Sequence, residues 1–275
     1  MNNIDAMKAY YEAKTQGGIV PYFQPIVSVN DHQMLAAEVL CRIKLPDGSI
    51  ITPDQFIPIL EKTGEICDLD WYMAERACQM ALSTEVECDQ KIKFSVNMSR
   101  RHAYEWDAAE HLLAIADRYM VDPGRIIVEI TEGYSVEDYL LNHMMDSLQE
   151  AGFSVALDDF GEGYATLGSL KEASFDVIKI DRSIVGGDFT NDNAGAIIQS
   201  IVKLAQNLGV MVVGEGAETY EQLLFYIRCG CEYAQGNIFG IPISEECFLK
   251  MILDGGKRNT IDNPYSVGYY VDGRK

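Results

Sequence analysis

The sequence predicts an α/β fold on a mainly parallel sheet, and two observations carry that prediction. Between residues 18 and 253, short β-branched runs alternate with longer stretches of helical periodicity, which is the mark of repeated βαβ units. The chain has 275 residues, 48% apolar and 23% charged, so it can bury a large core and is neither disordered nor a disulfide-stapled miniprotein.

Taken in order, residues 1–17 read as a leading helix, followed by strands at 20–27 and 34–43. Helices are expected at 53–62 and 68–82, then a strand at 92–97, a helix at 108–119 and a strand at 126–130. The second half continues with helix 136–151, strand 154–158, helix 165–172, strand 177–180, helix 194–208, strand 210–214 and helix 219–228. A last, weakly patterned strand is placed at 231–234, giving about eight strands in all. The punctuation agrees: Thr52 precedes Pro53 at a helix start, Gly64, Gly152 and Gly209 follow helices, and Asp122-Pro123-Gly124 makes a turn before a strand. No stretch reads as a linker and no repeat period is visible, so residues 18–253 are read as one domain. From 254 to 275 the composition shifts to Gly, Asn, Asp and Tyr, which reads as a tail with aromatic anchors or partial disorder.

Charge narrows the partners. With 42 acidic against 22 basic residues the formal net charge is −20, which repels nucleic acid polymers and anionic membranes. A small anion is still acceptable where carboxylates are occupied by divalent cations. The N-terminus has no basic stretch leading into an apolar one, and apolar runs such as 210–213 are far shorter than the roughly 18 residues of a membrane span. Seven cysteines without C-x-x-C spacing argue for reduced, buried thiols and a cytoplasmic setting.

The chemistry is announced by a carboxylate or an amide at the ends of apolar strands, in AAEVL, KFSVN, IIVEI, SVALDD and MVVGEG. In a barrel of parallel strands the C-terminal ends converge on one face, so Glu38, Asn97, Glu129, Asp158, Asp159 and Glu215 would share a mouth. One acid at a strand end is usually a helix cap or a solvated loop residue; six oxygen-bearing side chains at successive ends are not explained that way. Crowded carboxylates repel unless cations sit among them, and an oxygen-only donor set suits Mg²⁺ or Mn²⁺ rather than zinc. Adjacent Asp158 and Asp159 reach one site only if the chain turns there, a freedom that Gly161 and Gly163 supply. Lys179, ending the strand VIKI, adds one positive charge that can steady a developing phosphorane oxygen. His32, His102, His111 and His143 have no partnering spacing and read as exposed or satisfied residues, and Cys229-Gly230-Cys231 reads as a turn.

These residues carry a family resemblance. YFQPIV, AAEVLCR, FIPILEKTG, FSVNMS, VEITEG, LDDFGEGYATL, FDVIKIDRSIV, GEGAET and QGNIFGIP follow one another in the order of the EAL-domain cyclic di-GMP phosphodiesterases, which the chain resembles from about residue 21 to 242. The resemblance implies a TIM-like (β/α)8 barrel with one irregular, antiparallel strand. It implies two divalent cations and the opening of cyclic di-GMP to linear pGpG by an activated water. On the matching positions, Glu38, Asn97, Glu129 and Asp158 would hold the first cation, Asp158 would bridge, and Asp159 with Glu215 would hold the second. Lys179 would contact the attacking water, Gln24, Leu40, Arg42 and Gln235 would lie at the substrate, and Glu132 and Glu218 would support the site. Arg42 is the natural phosphate contact because its fork meets two oxygens at once.

The chain departs from the family in four places. Val39 stands for alanine in the signature tripeptide, Gly214 and Ala217 replace alanine and valine, Glu162 replaces threonine, and Ala165-Thr166 replaces a serine pair. A carboxylate at Glu162 could repel Glu132 or an incoming phosphate, or could recruit metal. Two functions therefore stand side by side: an active phosphodiesterase, and a non-hydrolytic cyclic di-GMP receptor signalling through a partner protein. Intact acids favour the first, because binding alone needs no second set of metal ligands. An enolase-like barrel enzyme would not reproduce the motif order. The family often dimerises near the Glu162 loop, so a homodimer and an unidentified regulatory partner are left open by the sequence.

Overall fold

A computed structural model describes residues 3–88, 91–131, 136–161, 175–185 and 192–254. The chain begins with helix α1 (Asn3–Gln16), then strands β1 (Ile19–Ser28), β2 (Met34–Lys44) and β3 (Ile50–Ile51). Helices α2 (Ile57–Thr63) and α3 (Ile66–Cys88) lead to β4 (Lys93–Asn97), α4 (Ala108–Arg118), β5 (Ile126–Thr131), α5 (Asp138–Glu150) and β6 (Ser154–Phe160). After β7 (Val177–Ile180) come α6 (Asp192–Leu208), β8 (Met211–Gly214), α7 (Tyr220–Cys229), β9 (Tyr233–Gln235), β10 (Ile243–Ser244) and α8 (Glu245–Asp254).

Eight strands close a ring in the order β1-β9-β8-β7-β6-β5-β4-β2, sealed by the β1–β2 pairing, while β3 and β10 are short extensions. From β2 through β4 to β9 neighbouring strands run parallel; β1 alone opposes both its ring neighbours, β2 and β9. The expected barrel with one antiparallel strand is therefore present. Strands covered on both faces need apolar residues at nearly every position, and the burial of all four residues of VIKI in β7 and of five of the six in IIVEIT in β5 follows that rule.

Helices pack outside the ring. In α1, Ala6, Ala9, Tyr10 and Ala13 recur at helical spacing and are buried in the larger core cluster with α3 and β2. α7 starts on a capping box, Thr219 Oγ1 accepting from the Gln222 backbone N–H while the Gln222 side chain accepts from the backbone N–H of Thr219. Gly64, Gly152 and Gly209 all take positive φ, as expected of residues that end helices.

Several boundaries differ from expectation. The single helix expected at 53–62 is a 3₁₀ turn at Pro53–Gln55 followed by α2, because Pro58 restarts a helix that Phe56 interrupts with φ −130°. α3 runs six residues beyond 82, its buried face continuing through Thr84. α8, with Phe248 and Ile252 buried, forms where the sequence pattern placed no element. The helix expected at 165–172 and residues 255–275 lie outside the described residues. Among the described residues no helix is long and apolar enough to cross a membrane.

Candidate active site

Inside the barrel, side chains form two layers. Ile26, Ala36, Ile127, Ala156, Val177 and Val213 make a small apolar cluster separate from the cores under the helices. Two residues nearer the mouth on the same strands stand Gln24, Glu38, Glu129, Asp158, Lys179 and Glu215. Because side chains alternate with period two, both layers face inward. Asn97 joins the upper layer from the end of β4 and Gln235 from the end of β9. The predicted convergence is thus a consequence of register.

Lys179 is the hub. It is 2% exposed, and its Nζ lies 2.8 Å from Glu215, 2.9 Å from Glu129, 3.0 Å from Asp158 and 3.6 Å from Glu38. Burial would strip its proton, but the four carboxylates hold its pKa well above the usual lysine value. One ammonium cannot satisfy four acids. Burial carries the Glu215 carboxyl up to about 8 despite Lys179, helped by the charges of Asp158 and Glu38. Burial likewise drives Glu129 well above the carboxylate range, against Lys179 and with Glu38 and Asp158 adding to it. Glu38 goes the other way: burial pushes it up, but Lys179 and hydrogen bonds from Gln235 and Asn97 bring it below its ordinary value.

A chain of amides orients these acids. Asn97 Nδ2 donates to Glu38 Oε1 at 3.1 Å, and Gln235 Nε2 donates to Glu38 Oε2 at 2.6 Å and to Gln24 Oε1 at 3.2 Å. Gln24 in turn donates to the Gly240 carbonyl at 3.0 Å, so Gln24 acts within the network rather than only at a substrate surface. Leu40 and Arg42 continue the Glu38 face of β2 toward the mouth; both are half-buried, and the Arg42 guanidinium lies 5.7 Å from the Tyr22 ring centre. Gln24, Glu38, Glu215, Gly216, Glu218, Gln235, Gly236 and Asn237 line a cleft of about 180 Å³. Glu218 stands at its rim, paired with Arg182 at 3.0 Å.

The tandem acids meet at one place by a route the sequence only partly shows. Asp159 itself takes φ +56°, and the β6–β7 register slips between Leu157 and Phe160. This bulge turns Asp159 back toward its neighbour, so single oxygens of Asp158, Asp159 and Glu215 lie within 4.8 Å of one another. Gly161 also has positive φ, +113°; Gly163, Glu132 and Glu162 lie outside the described residues.

The donor set fits divalent cations. It consists of oxygens alone; Asp158 Oδ1 is met by Lys179 Nζ at 3.0 Å, while Glu129 Oε1 and Gln235 Oε1 are buried without a hydrogen-bond partner. Buried acceptors in that state are costly unless a cation or water meets them.

Two residues that hold the site were not singled out from sequence. Tyr226 donates its hydroxyl to the Glu215 carbonyl at 2.6 Å, and a Cβ on Gly214 would come within 2.5 Å of the Tyr226 ring. Glycine replaces the family's alanine there because this tyrosine fills the space. Asp70, buried on α3 among Leu69, Met73 and Ala74, accepts from the Ser99 backbone N–H at 2.8 Å and so fixes the turn leaving Asn97. An acid at a buried helical position was the available signal.

The comparisons with known proteins agree with this geometry. The EAL domain model matches residues 7–242, beginning inside α1. The chain is 31% identical over 246 residues to the probable cyclic di-GMP phosphodiesterase PdeG of Escherichia coli, covering 89% of this chain and 48% of that protein. It is 32% identical over 235 residues to the cyclic di-GMP phosphodiesterase RocR of Pseudomonas aeruginosa, covering 85% and 59%. The chain therefore spans less than two thirds of these curated relatives. A solved structure described as the PaMucR phosphodiesterase in complex with c-di-GMP superposes with a TM-score of 0.82 at 28% identity, covering 89% of this chain and 99% of that one. With the barrel, its carboxylate mouth and a family match over most of its length, the chain belongs to the EAL domain family.

Proposed function

We propose that this chain hydrolyses cyclic di-GMP to linear pGpG with two divalent cations, Mg²⁺ or Mn²⁺, at the mouth of the barrel. The observation that carries the reading is the intact upper layer, in which each acid and Lys179 stand together around oxygens left without hydrogen bonds. The phosphodiesterase names of the relatives support the same substrate.

Glu38, Asn97, Glu129 and Asp158 would hold one cation, with Asp158 shared, and Asp159 with Glu215 would hold the other. When bound, such ions neutralise phosphate charge and make water nucleophilic at neutral pH. The remaining work belongs to the chain. Asn97 and Gln235 keep both Glu38 oxygens fixed in direction. Lys179 Nζ, freed from part of its present load once the acids are otherwise neutralised, points its protons at the attacking water and orients the lone pair toward phosphorus. Arg42 and Gln24 hold the substrate phosphate edge and Leu40 gives the apolar contact beside it. Because pGpG keeps its 5′-phosphate, water oxygen bonds to phosphorus as the P–O3′ bond breaks, and the departing O3′ takes up a proton. Glu218, with Glu132 and Glu162, would support the loops around the mouth.

The test is incubation of the purified chain with cyclic di-GMP and Mg²⁺ or Mn²⁺, followed by chromatography for pGpG, with Lys179→Met alongside. Linear product from the wild type and a loss of about 10²–10³-fold in the variant is the expected result. Tight binding without product would make the chain a receptor and overturn the reading.

A further inference from the structure

A second cluster of metal-ligand chemistry lies away from the barrel mouth, where α3 meets the 3₁₀ turn Arg100–Tyr104 that follows β4. Cys67, in the first turn of α3, His102, in the 3₁₀ turn, and Glu105, just beyond it, each offer a ligand atom within 4.8 Å of the others. His102 is fully buried, while Cys67 and Glu105 are half-buried. We propose that Cys67, His102 and Glu105 form a second metal site, for a thiolate-compatible divalent ion such as Zn²⁺, that pins α3 to the turn leaving Asn97.

Three features support a built site. The first is spacing: bonds of about 2.0–2.3 Å in a tetrahedral site put ligand atoms roughly 3.3–3.8 Å apart, so the 3.0 Å His102–Glu105 separation would open slightly and the others, all within 4.8 Å, would close by at most about 1.5 Å. The second is donor chemistry. Sulfur, imidazole nitrogen and carboxylate together select zinc or a similar borderline ion, whereas the oxygen-only mouth suits Mg²⁺ or Mn²⁺.

The third is orientation. His102 Nε2 lies 3.1 Å from Asp70 Oδ2, while Nδ1 faces Glu105 Oε2 at 3.0 Å. A metal-bound histidine characteristically donates its far N–H to a carboxylate, which fixes tautomer and ring angle, and Asp70 stands at that position. The Trp71 ring closes the cluster, with its centroid 4.5 Å from that of His102. In the absence of metal the same atoms make an ion pair: burial lowers the imidazole pKa, but hydrogen bonds with Asp70, Cys67 and Glu105 raise it to about 11. The divalent ion would take the place of the proton between His102 and Glu105. Asp70 also accepts from the Ser99 backbone N–H, so the carboxylate that orients His102 holds the chain two residues beyond Asn97.

Cobalt spectroscopy separates this site from the mouth. The whole chain, stripped with a chelator and supplied with excess Mg²⁺, is titrated with Co²⁺. The expected result is a thiolate-to-cobalt charge-transfer band that saturates at one equivalent and is discharged by Zn²⁺. It should be absent in Cys67→Ser, retained in Glu38→Gln, and require about 10–100-fold more Co²⁺ in Asp70→Asn. Zn²⁺ should raise the Tm of the wild type but not of Cys67→Ser. No band in the wild type, or a band that survives Cys67→Ser, would overturn the site and leave an imidazolium held between two carboxylates. The readout does not depend on cyclic di-GMP turnover.

Discussion

The two inward-facing layers of the barrel share backbone, strands and register, and differ only in what stands two residues apart. Below, Ile26, Ala36, Ile127, Ala156, Val177 and Val213 fill space. Above, Gln24, Glu38, Glu129, Asp158, Lys179 and Glu215 crowd charge into a region nearly as dry: Glu129 is 1% exposed and Lys179 2%. The lower layer contributes stability by removing apolar surface from water, whereas the upper layer opposes it unless cations neutralise its acids. A charge arrangement that folding alone would not favour, placed on the strands of the barrel, is the physical signature of a functional site.

The contrast can be broken from either side. The largest effect is expected from Asp158→Ala, which removes an oxygen shared by the acid triad and one of the four partners of Lys179. Hydrolysis should fall below detection while the folded content, read by circular dichroism, stays near that of the wild type. Lys179→Met comes next, with the loss of about 10²–10³-fold given above and a weakened fold at low divalent ion, since four acids then lack their internal cation.

The lower layer should answer in the opposite currency. Ile127→Ala is expected to cost about 2–5 kcal/mol in denaturant unfolding, with cation affinity at the mouth close to that of the wild type when measured by calorimetry in the folded range. The smallest effect belongs to Tyr226→Phe, which removes one hydrogen bond to the Glu215 carbonyl and should cost about 1 kcal/mol with a few-fold drop in turnover. Gly214→Ala sharpens that point. Alone it should destabilise by about 1–3 kcal/mol because its methyl meets the Tyr226 ring, and combined with Tyr226→Leu much of that cost should disappear.

Much of this was legible in sequence because two periodicities do most of the positioning. Apolar runs ending in a carboxylate or an amide, repeated on successive strands, placed Glu38, Asn97, Glu129, Asp158 and Glu215 at one mouth, and register brings them there. The tandem acids were harder. Glycines after Asp159 pointed to a turn, but Asp159 makes the first part of it with its own positive φ, which residue type alone does not reveal. Partnerships between distant elements were the least legible. Asp70 and His102 are 32 residues apart, and Gly214 is explained only by a tyrosine from the next helix, so neither pair has a spacing that local patterns could display. The lower layer could be predicted as apolar but not distinguished from the outer core, since strands buried on both faces carry no alternation.

The most direct test of the account is ion removal and return. The purified chain, freed of divalent ions by chelator and dialysis, is mixed with cyclic di-GMP, and pGpG is measured before and after Mg²⁺ or Mn²⁺ is restored. The account predicts no product without the ion and full turnover on its return. Product formed in the presence of excess chelator, or bound cyclic di-GMP that stays intact at every ion concentration, would contradict it.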